Sequence, residues 1–348
     1  MTSPSPTWDP NSPTFPTIHS LPSIPGAPKY ASWFWGPEDF LGRINLLTPS
    51  RVKSAAASSI LTGEMARTDL PLHIPEQPAF GRQVFRHEIK ALRPGRAYDD
   101  VYEMNTQSGT QWDGFRHVAD QETGWFYNFT RGRDIDGEEG ERNERGSIHY
   151  WSLHGFAGRG VLLDYRSWAT AQGIKYDSAT KHAISYADLV EVGKFQGMDI
   201  RPAAQGGDIQ IGDILFVRSG YVEDYYKRTK EKNYEIGLRK FATEGEDSEI
   251  QAWAGLKAEE AIRDWLHDCY FVASAGDSPT MEVFPPPSEG ALHGYLLACW
   301  GMPIGEMVDL EKVAELARKY QRWTFFFTSA SANVVRGVSS HVNGTAIF

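Results

Sequence analysis

The chain switches repeatedly between helical and extended periodicity, and no other feature restricts its fold so tightly. Ala258, Ala261, Ile262, Trp265 and Leu266 recur at the spacing of one helical face, and the apolar run Tyr270-Phe271-Val272-Ala273-Ser274-Ala275 follows. A helix feeding a buried strand is the repeating unit of an α/β protein. Upstream, Ser185 can cap a helix carrying Leu189, Val192 and Phe195 that ends at Gly197, and residues 211–217 then read as a strand. Thr48 and Pro49 supply an N-cap and a first-turn proline for a helix with Val52, Ala55, Ala56 and Ile60, closed by Gly63. Gly160-Val161-Leu162-Leu163-Asp164 reads as another buried strand, and Trp323-Thr324-Phe325-Phe326-Phe327 as the terminal one. In α/β folds ligands gather past the carboxyl ends of strands, which singles out Asp277 as a binding residue.

Between these elements the pattern is looser. Residues 65–90 are broken by prolines but have β character, and 98–113 form an extended run. The glycine-rich stretch 155–160 precedes its strand and opens no helix, which excludes a dinucleotide loop. Residues 227–250 are densely charged and read as a solvated insertion. Ser288 can cap a helix containing Leu292, His293, Leu296 and Leu297 that stops at Gly301; Glu306 then falls in the connection to a last helix capped by Asp309.

Residues 1–28 are dense in Pro, Ser and Thr and form an arm, either loose or laid over a neighbour. No repeat and no clean linker follows, so residues 29–348 read as a single domain. The formal charge of -10 and the lack of a long Lys/Arg run exclude a nucleic-acid partner and favour a small-molecule substrate. No basic leader precedes an apolar run and no stretch of ~18 apolar residues occurs, so neither secretion nor a membrane is expected and the location is read as cytoplasmic. Cys269 and Cys299 each sit in an apolar helical pattern and read as buried free thiols.

The densest group of chemistry-bearing residues is Gln107-Ser108-Gly109-Thr110-Gln111-Trp112-Asp113-Gly114-Phe115-Arg116-His117. If it runs extended to Asp113, then Gln107, Gly109, Gln111 and Asp113 share one face, and a turn at Gly114 brings His117 back over them. Such a cluster suits a hard or borderline metal, or acid–base work by Asp113 and His117. In purely structural roles Asp113 would cap the turn and His117 would be a packed ring. A Gly-x-Ser-x-Gly elbow and the HExxH and CxxC signatures are absent.

This segment resembles the cyclase family, which contains bacterial kynurenine formamidase and isatin hydrolase, with its signature His-x-Gly-Thr-His-x-Asp-x-x-x-His. Gly109, Thr110, Asp113 and His117 fit; Gln107 and Gln111 stand where the family has metal-binding histidines. Phe40-Leu41-Gly42-Arg43-Ile44-Asn45-Leu46-Leu47-Thr48-Pro49 resembles the family's N-terminal entry, and Gly212-Asp213-Ile214-Leu215-Phe216-Val217-Arg218-Ser219-Gly220-Tyr221 its Gly-Asp strand and following turn. Asp277-Ser278-Pro279, His293 and Glu306 come in the family's order. The resemblance implies a swivelling β/β/α domain, a mixed barrel-like sheet layered with helices. It also implies Asp113, His293 and Glu306 as metal ligands, His117 as general base, and Tyr127 and Asn128 near the pocket mouth.

The two glutamines bear on mechanism. An amide oxygen is a poor zinc ligand but an acceptable one for manganese, magnesium or calcium. A dinuclear zinc centre is therefore not expected. One Mn²⁺- or Zn²⁺-type ion on Asp113, His293 and Glu306, with Gln111 as a further ligand, is one reading. In the other the metal has been lost, and Gln107 and Gln111 bind a substrate oxygen while Asp113 and His117 do the chemistry. The first reading is a hydrolase opening an amide, lactam or ester of a small aromatic or cyclic substrate. The second is a metal-independent cyclase, dehydratase or isomerase of secondary metabolism; a binding protein that kept the pocket is a third. A homodimer or homotetramer is expected from the resemblance and the N-terminal arm.

Overall fold

The computed structural model describes residues 7–242, 245–287 and 290–348. In chain order its strands are β1 (Met65–Arg67), β2 (Arg86–Arg93), β3 (Ala97–Glu103), β4 (Gln111–Asp113), β5 (Phe156–Leu163), β6 (Ala183–Ile184), β7 (Ile214–Val217), β8 (Gly255–Leu256), β9 (Ala273–Gly276), β10 (Ile304–Glu306), β11 (Thr324–Ser329), β12 (Ser339–Ser340) and β13 (Gly344–Ile347). Nine of them make one curled, mixed sheet, half of a barrel, in the order β1-β13-β11-β5-β7-β9-β10-β4-β12. The central run β5-β7-β9-β10 is parallel and its flanks are antiparallel. Helices cover the sheet, as expected for the α/β class.

The parallel strands β7 and β9 and the second half of β5 are buried throughout, which is why they read as unbroken apolar runs. Thr48 caps the helix Pro49–Ser59 by accepting from the Arg51 N–H, and Gly63 makes the turn beyond its end. Ser185 caps Tyr186–Gln196, where Gly197 takes the left-handed conformation. From residue 7 the arm lies on the body of the domain: Phe15 stacks on Tyr270 at 4.7 Å, and Ile18 is buried in the core. Both cysteines are buried free thiols.

Several expectations need correction. The extended run 98–113 is interrupted: β3 pairs only with β2 in a hairpin exposed on both faces, and residues 104–110 turn before β4 begins. The glycine-rich stretch is part of β5 itself. A Cβ at Gly160 would lie 2.3 Å from the Phe325 ring, so the small residue lets β11 pack against β5. Gly160→Ala is expected to lower stability by about 1–3 kcal/mol through overpacking, measured by denaturant unfolding. The strand expected at 211–217 starts at Ile214. Residues 227–250 are more than a solvated insertion, because the helix Lys230–Gly237 buries Ile236 against Leu70, Ile74 and Trp253. Glu306 lies in β10, not in a connection, and β11 is followed by β12 and β13. Ser288 lies outside the described residues; the helical segment after it is a π-helix, Gly294–Cys299, with His293 at its start.

His267 adds a pH dependence to the core. Its ring is wholly buried between Tyr270 and Trp300, and Nδ1 meets Asp268 Oδ1 at 2.8 Å. Burial holds its pKa down to about 4, with Arg43 adding to the shift and Asp268 opposing it. The imidazole folds neutral and must gain a proton on unfolding below its ordinary value of 6.5. Its contribution to stability is therefore complete above pH 6.5 and is lost as pH falls toward 4. The loss is about 3 kcal/mol at ~1.4 kcal/mol per unit. Unfolding free energies of His267→Gln should fall less steeply over that interval than those of the wild type; parallel curves would contradict this.

Candidate active site

The centre is assembled on the antiparallel pair β4 and β10, whose register sets Gln111 opposite Glu306 and Asp113 opposite Ile304. Residues directly opposite share a face, as do residues two apart on one strand. Gln111, Asp113 and Glu306 therefore project together, while Trp112 enters the core on the other face. His293 arrives from the start of the π-helix. Its Nε2 stands 3.2 Å from Glu306 Oε1 and 3.8 Å from Asp113 Oδ2.

Glu282 fixes that imidazole. Its carboxylate pairs with His293 Nδ1 and also accepts from the main-chain N–H groups of Leu292 at 2.7 Å and His293 at 3.0 Å. Nε2 is thereby directed toward Asp113 and Glu306. Burial alone would lower the His293 pKa, but the hydrogen bonds and charges of Glu282 and Glu306 raise it well above the usual imidazole value. Burial raises the Asp113 carboxyl, and the charge of Glu306 raises it further; His117, His293 and Arg82 oppose the shift.

Asp113, His293 and Glu306 each offer a ligand atom, all within 4.8 Å of one another. Asp113 Oδ2 is buried without a hydrogen-bond partner, an expensive state that a cation relieves. Two carboxylates and an imidazole held by a third carboxylate are a donor set that fits one divalent ion. The residues present therefore fit a metal.

The other expected site residues divide. Gln111 presents its nitrogen: Nε2 donates to Gln107 Oε1 and Glu306 Oε2, each at 2.7 Å, so its oxygen is not directed at the centre as a ligand. Gln107 lies in the turn before β4 yet reaches the same network. His117 closes the turn through its N–H to the Gly114 carbonyl at 2.9 Å, is half-buried, and lies close enough for its charge to act on Asp113. Tyr127 and Asn128 are turned away. The Tyr127 hydroxyl donates to Asp39, and the Asn128 amide donates to the carbonyls of Gly36, Pro37 and Asp39, so both brace that loop and are not free for substrate. Asp277 accepts from the N–H and hydroxyl of Ser219 and from the Gly220 N–H, which occupies both oxygens at a helix start. It anchors a turn and is no free binding group.

Sequence reasoning missed Glu282 and Arg82. The one signal for Glu282 was a carboxylate in the apolar run Met281-Glu282-Val283-Phe284. Arg82 donates from Nη1 to the Gln107 carbonyl at 2.6 Å, a contact that no local spacing announces.

The model of the Cyclase family matches residues 61–283, well over half of the chain, and the chain belongs to that family. No curated protein matches the sequence. The fold is shared with a solved structure of a novel cyclase, at 24% identity and a TM-score of 0.73, covering 91% of this chain and 99% of that one. It is also similar to isatin hydrolase A from Ralstonia solanacearum (14% identity, TM-score 0.56, 86% and 98% covered). The enzyme of that name from Labrenzia aggregata is similar too (16%, TM-score 0.51, 85% and 96%). Among the described residues no helix is long and apolar enough to cross a membrane.

Proposed function

We propose that the chain is a metal-dependent hydrolase that opens an amide, lactam or ester of a small aromatic or cyclic substrate. The observation that carries this reading is the triangle of Asp113, His293 and Glu306 with Glu282 behind the imidazole. One divalent ion, Mn²⁺ or Zn²⁺, held there supplies Lewis acidity toward a carbonyl and makes water a stronger acid. His117, on the turn after β4, accepts the proton. Gln111 holds Glu306 and braces Gln107, whose own Nε2 is left to bind substrate oxygen as a donor.

Elemental analysis of protein purified without chelator tests the metal. About one equivalent of a divalent ion per chain is expected, with turnover of a simple aromatic formamide such as N-formylaniline. Two equivalents of tightly held zinc would contradict the single-ion site, because neither glutamine provides the nitrogen ligand a second zinc needs.

A second reading is supported by the Gln111 amide, which directs its N–H groups at Glu306 and Gln107 as an ion would direct its charge. Here the protein is a metal-independent cyclase, dehydratase or isomerase in which Asp113 and His117 move the proton. Turnover unaffected by chelation favours it. A homodimer or homotetramer is part of either reading. One face of the β2–β3 hairpin sets Ile89, Tyr98 and Tyr102 in solvent, a surface a second copy can cover. Light scattering reads the assembly directly.

A further inference from the structure

A group of donors, two of them without partners, stands beside the centre. Arg82, Gln107, Tyr221, Trp253, Pro279 and Met307 line a narrow cleft whose free volume is about 10 Å³, room for one water-sized group. Gln107 belongs to both places. Its Oε1 accepts from Gln111, while its buried Nε2 has no acceptor. The buried indole nitrogen of Trp253 has none either. Arg82 adds the charge: it donates to the Gln107 carbonyl, its guanidinium lies 4.7 Å over the Phe80 ring, and among the described residues no Asp or Glu pairs with it. The chain carries 45 acidic and 35 basic residues, so an arginine in a cleft that no carboxylate has claimed is conspicuous. Buried donors ordinarily have acceptors, and a guanidinium with two flanking N–H groups matches a carboxylate.

We propose that this cleft takes a carboxylate of the substrate. The hydrolysed carbonyl then sits at Asp113, His293 and Glu306, and an acidic oxygen a few bonds away lies among Arg82, Gln107 and Trp253. The substrate class is an N-acyl amine, lactam or ester bearing a carboxylate beside the scissile bond. Only the oxygen-sized end enters the cleft; the ring stays outside it. This rests on the hydrolase reading above for the bond that is broken, but not for the anion that is held.

Titration calorimetry with anthranilate and its neutral isostere anthranilamide tests the cleft, on full-length protein stripped of metal and on the same protein reloaded with Mn²⁺. Anthranilate is expected to bind about 10-fold or more tightly than the amide in both forms, the usual contribution of a charge-assisted hydrogen bond. Arg82→Met should erase that preference, and Arg82→Lys should keep part of it. Equal binding of the two probes to the wild-type protein overturns the proposal whether or not the variants fold. So does a preference that appears only after reloading, since the carboxylate then sits on the ion, or one that survives Arg82→Met, since something other than this guanidinium then holds it. The hydrolase reading fails separately. No turnover of N-formylanthranilate or N-formylaniline, with the anthranilate preference intact, sinks that reading and leaves the carboxylate cleft standing.

Discussion

Replacing His117 with alanine is expected to lower kcat by about 10²- to 10⁴-fold, the contribution of a positioned acid–base group. The expectation rests on placement. His117 ends the turn that follows β4, is half-buried, and lies near Asp113, and among the described residues its ring makes no hydrogen bond that would mark it as a structural prop. The loss should fall on kcat with little change in melting temperature, read by steady-state assay alongside thermal unfolding. A variant that turns over like the wild type, or one that fails to fold, makes the ring structural and removes the proton acceptor from the scheme.

Stripping the metal is expected to be at least as costly. Several kcal/mol of transition-state stabilisation, about 10³-fold in kcat/KM or more, should disappear on chelation and return with Mn²⁺ or Zn²⁺. The chain's own residues grade the effect. His293→Ala removes the one nitrogen donor of the proposed triangle, and the variant is expected neither to hold the ion nor to recover on its addition. Glu282→Gln keeps the ligands but loosens the orientation of the imidazole, and should weaken metal affinity by about 10- to 100-fold, as changes in groups that orient a ligand do. Competition with a chromophoric chelator measures both. Full activity after exhaustive stripping would leave the metal-independent reading in place.

Much of the architecture was legible because parallel strands buried on both faces leave continuous apolar runs, and the helices between them leave caps and glycines. Thr48, Ser185 and Gly197 all do what their residue types suggest. What was not legible has common causes. The β2–β3 hairpin buries neither face, so its composition carries no inside-and-outside alternation. Residues 107–113 alternate in a way that suits one strand, yet Gly109 lies so close under the Ile74 carbonyl that a Cβ there would approach it to 2.8 Å, and Thr110 donates to the Met307 carbonyl. Those are tertiary contacts, invisible to periodicity. β10 is three residues long with glycine at its centre, too short to announce itself. His293 on an apolar helical face reads as core, and only the order of family segments made it a site candidate. Tyr127, Asn128 and Asp277 show the opposite case: the Tyr127 hydroxyl, the Asn128 amide nitrogen and both Asp277 oxygens are engaged by the scaffold.

The position of β4 in the sheet also sets a schedule for synthesis. β4 is bordered by β10 on one side and β12 on the other, both from far down the chain. From Asp113 to Ile304, 304 minus 113, is 191 residues. At ~5–20 residues per second a ribosome takes about 10–40 s to make them. During that interval β5, β7 and β9 can already zip together, because each is followed by its parallel neighbour. Trp112 and Phe115, destined for full burial, still lack the two strands, β10 and β12, that flank their segment. The segment that bears the chemistry is thus among the last to be enclosed on a nascent chain, and a chaperone that shields exposed aromatic side chains has its longest opportunity there.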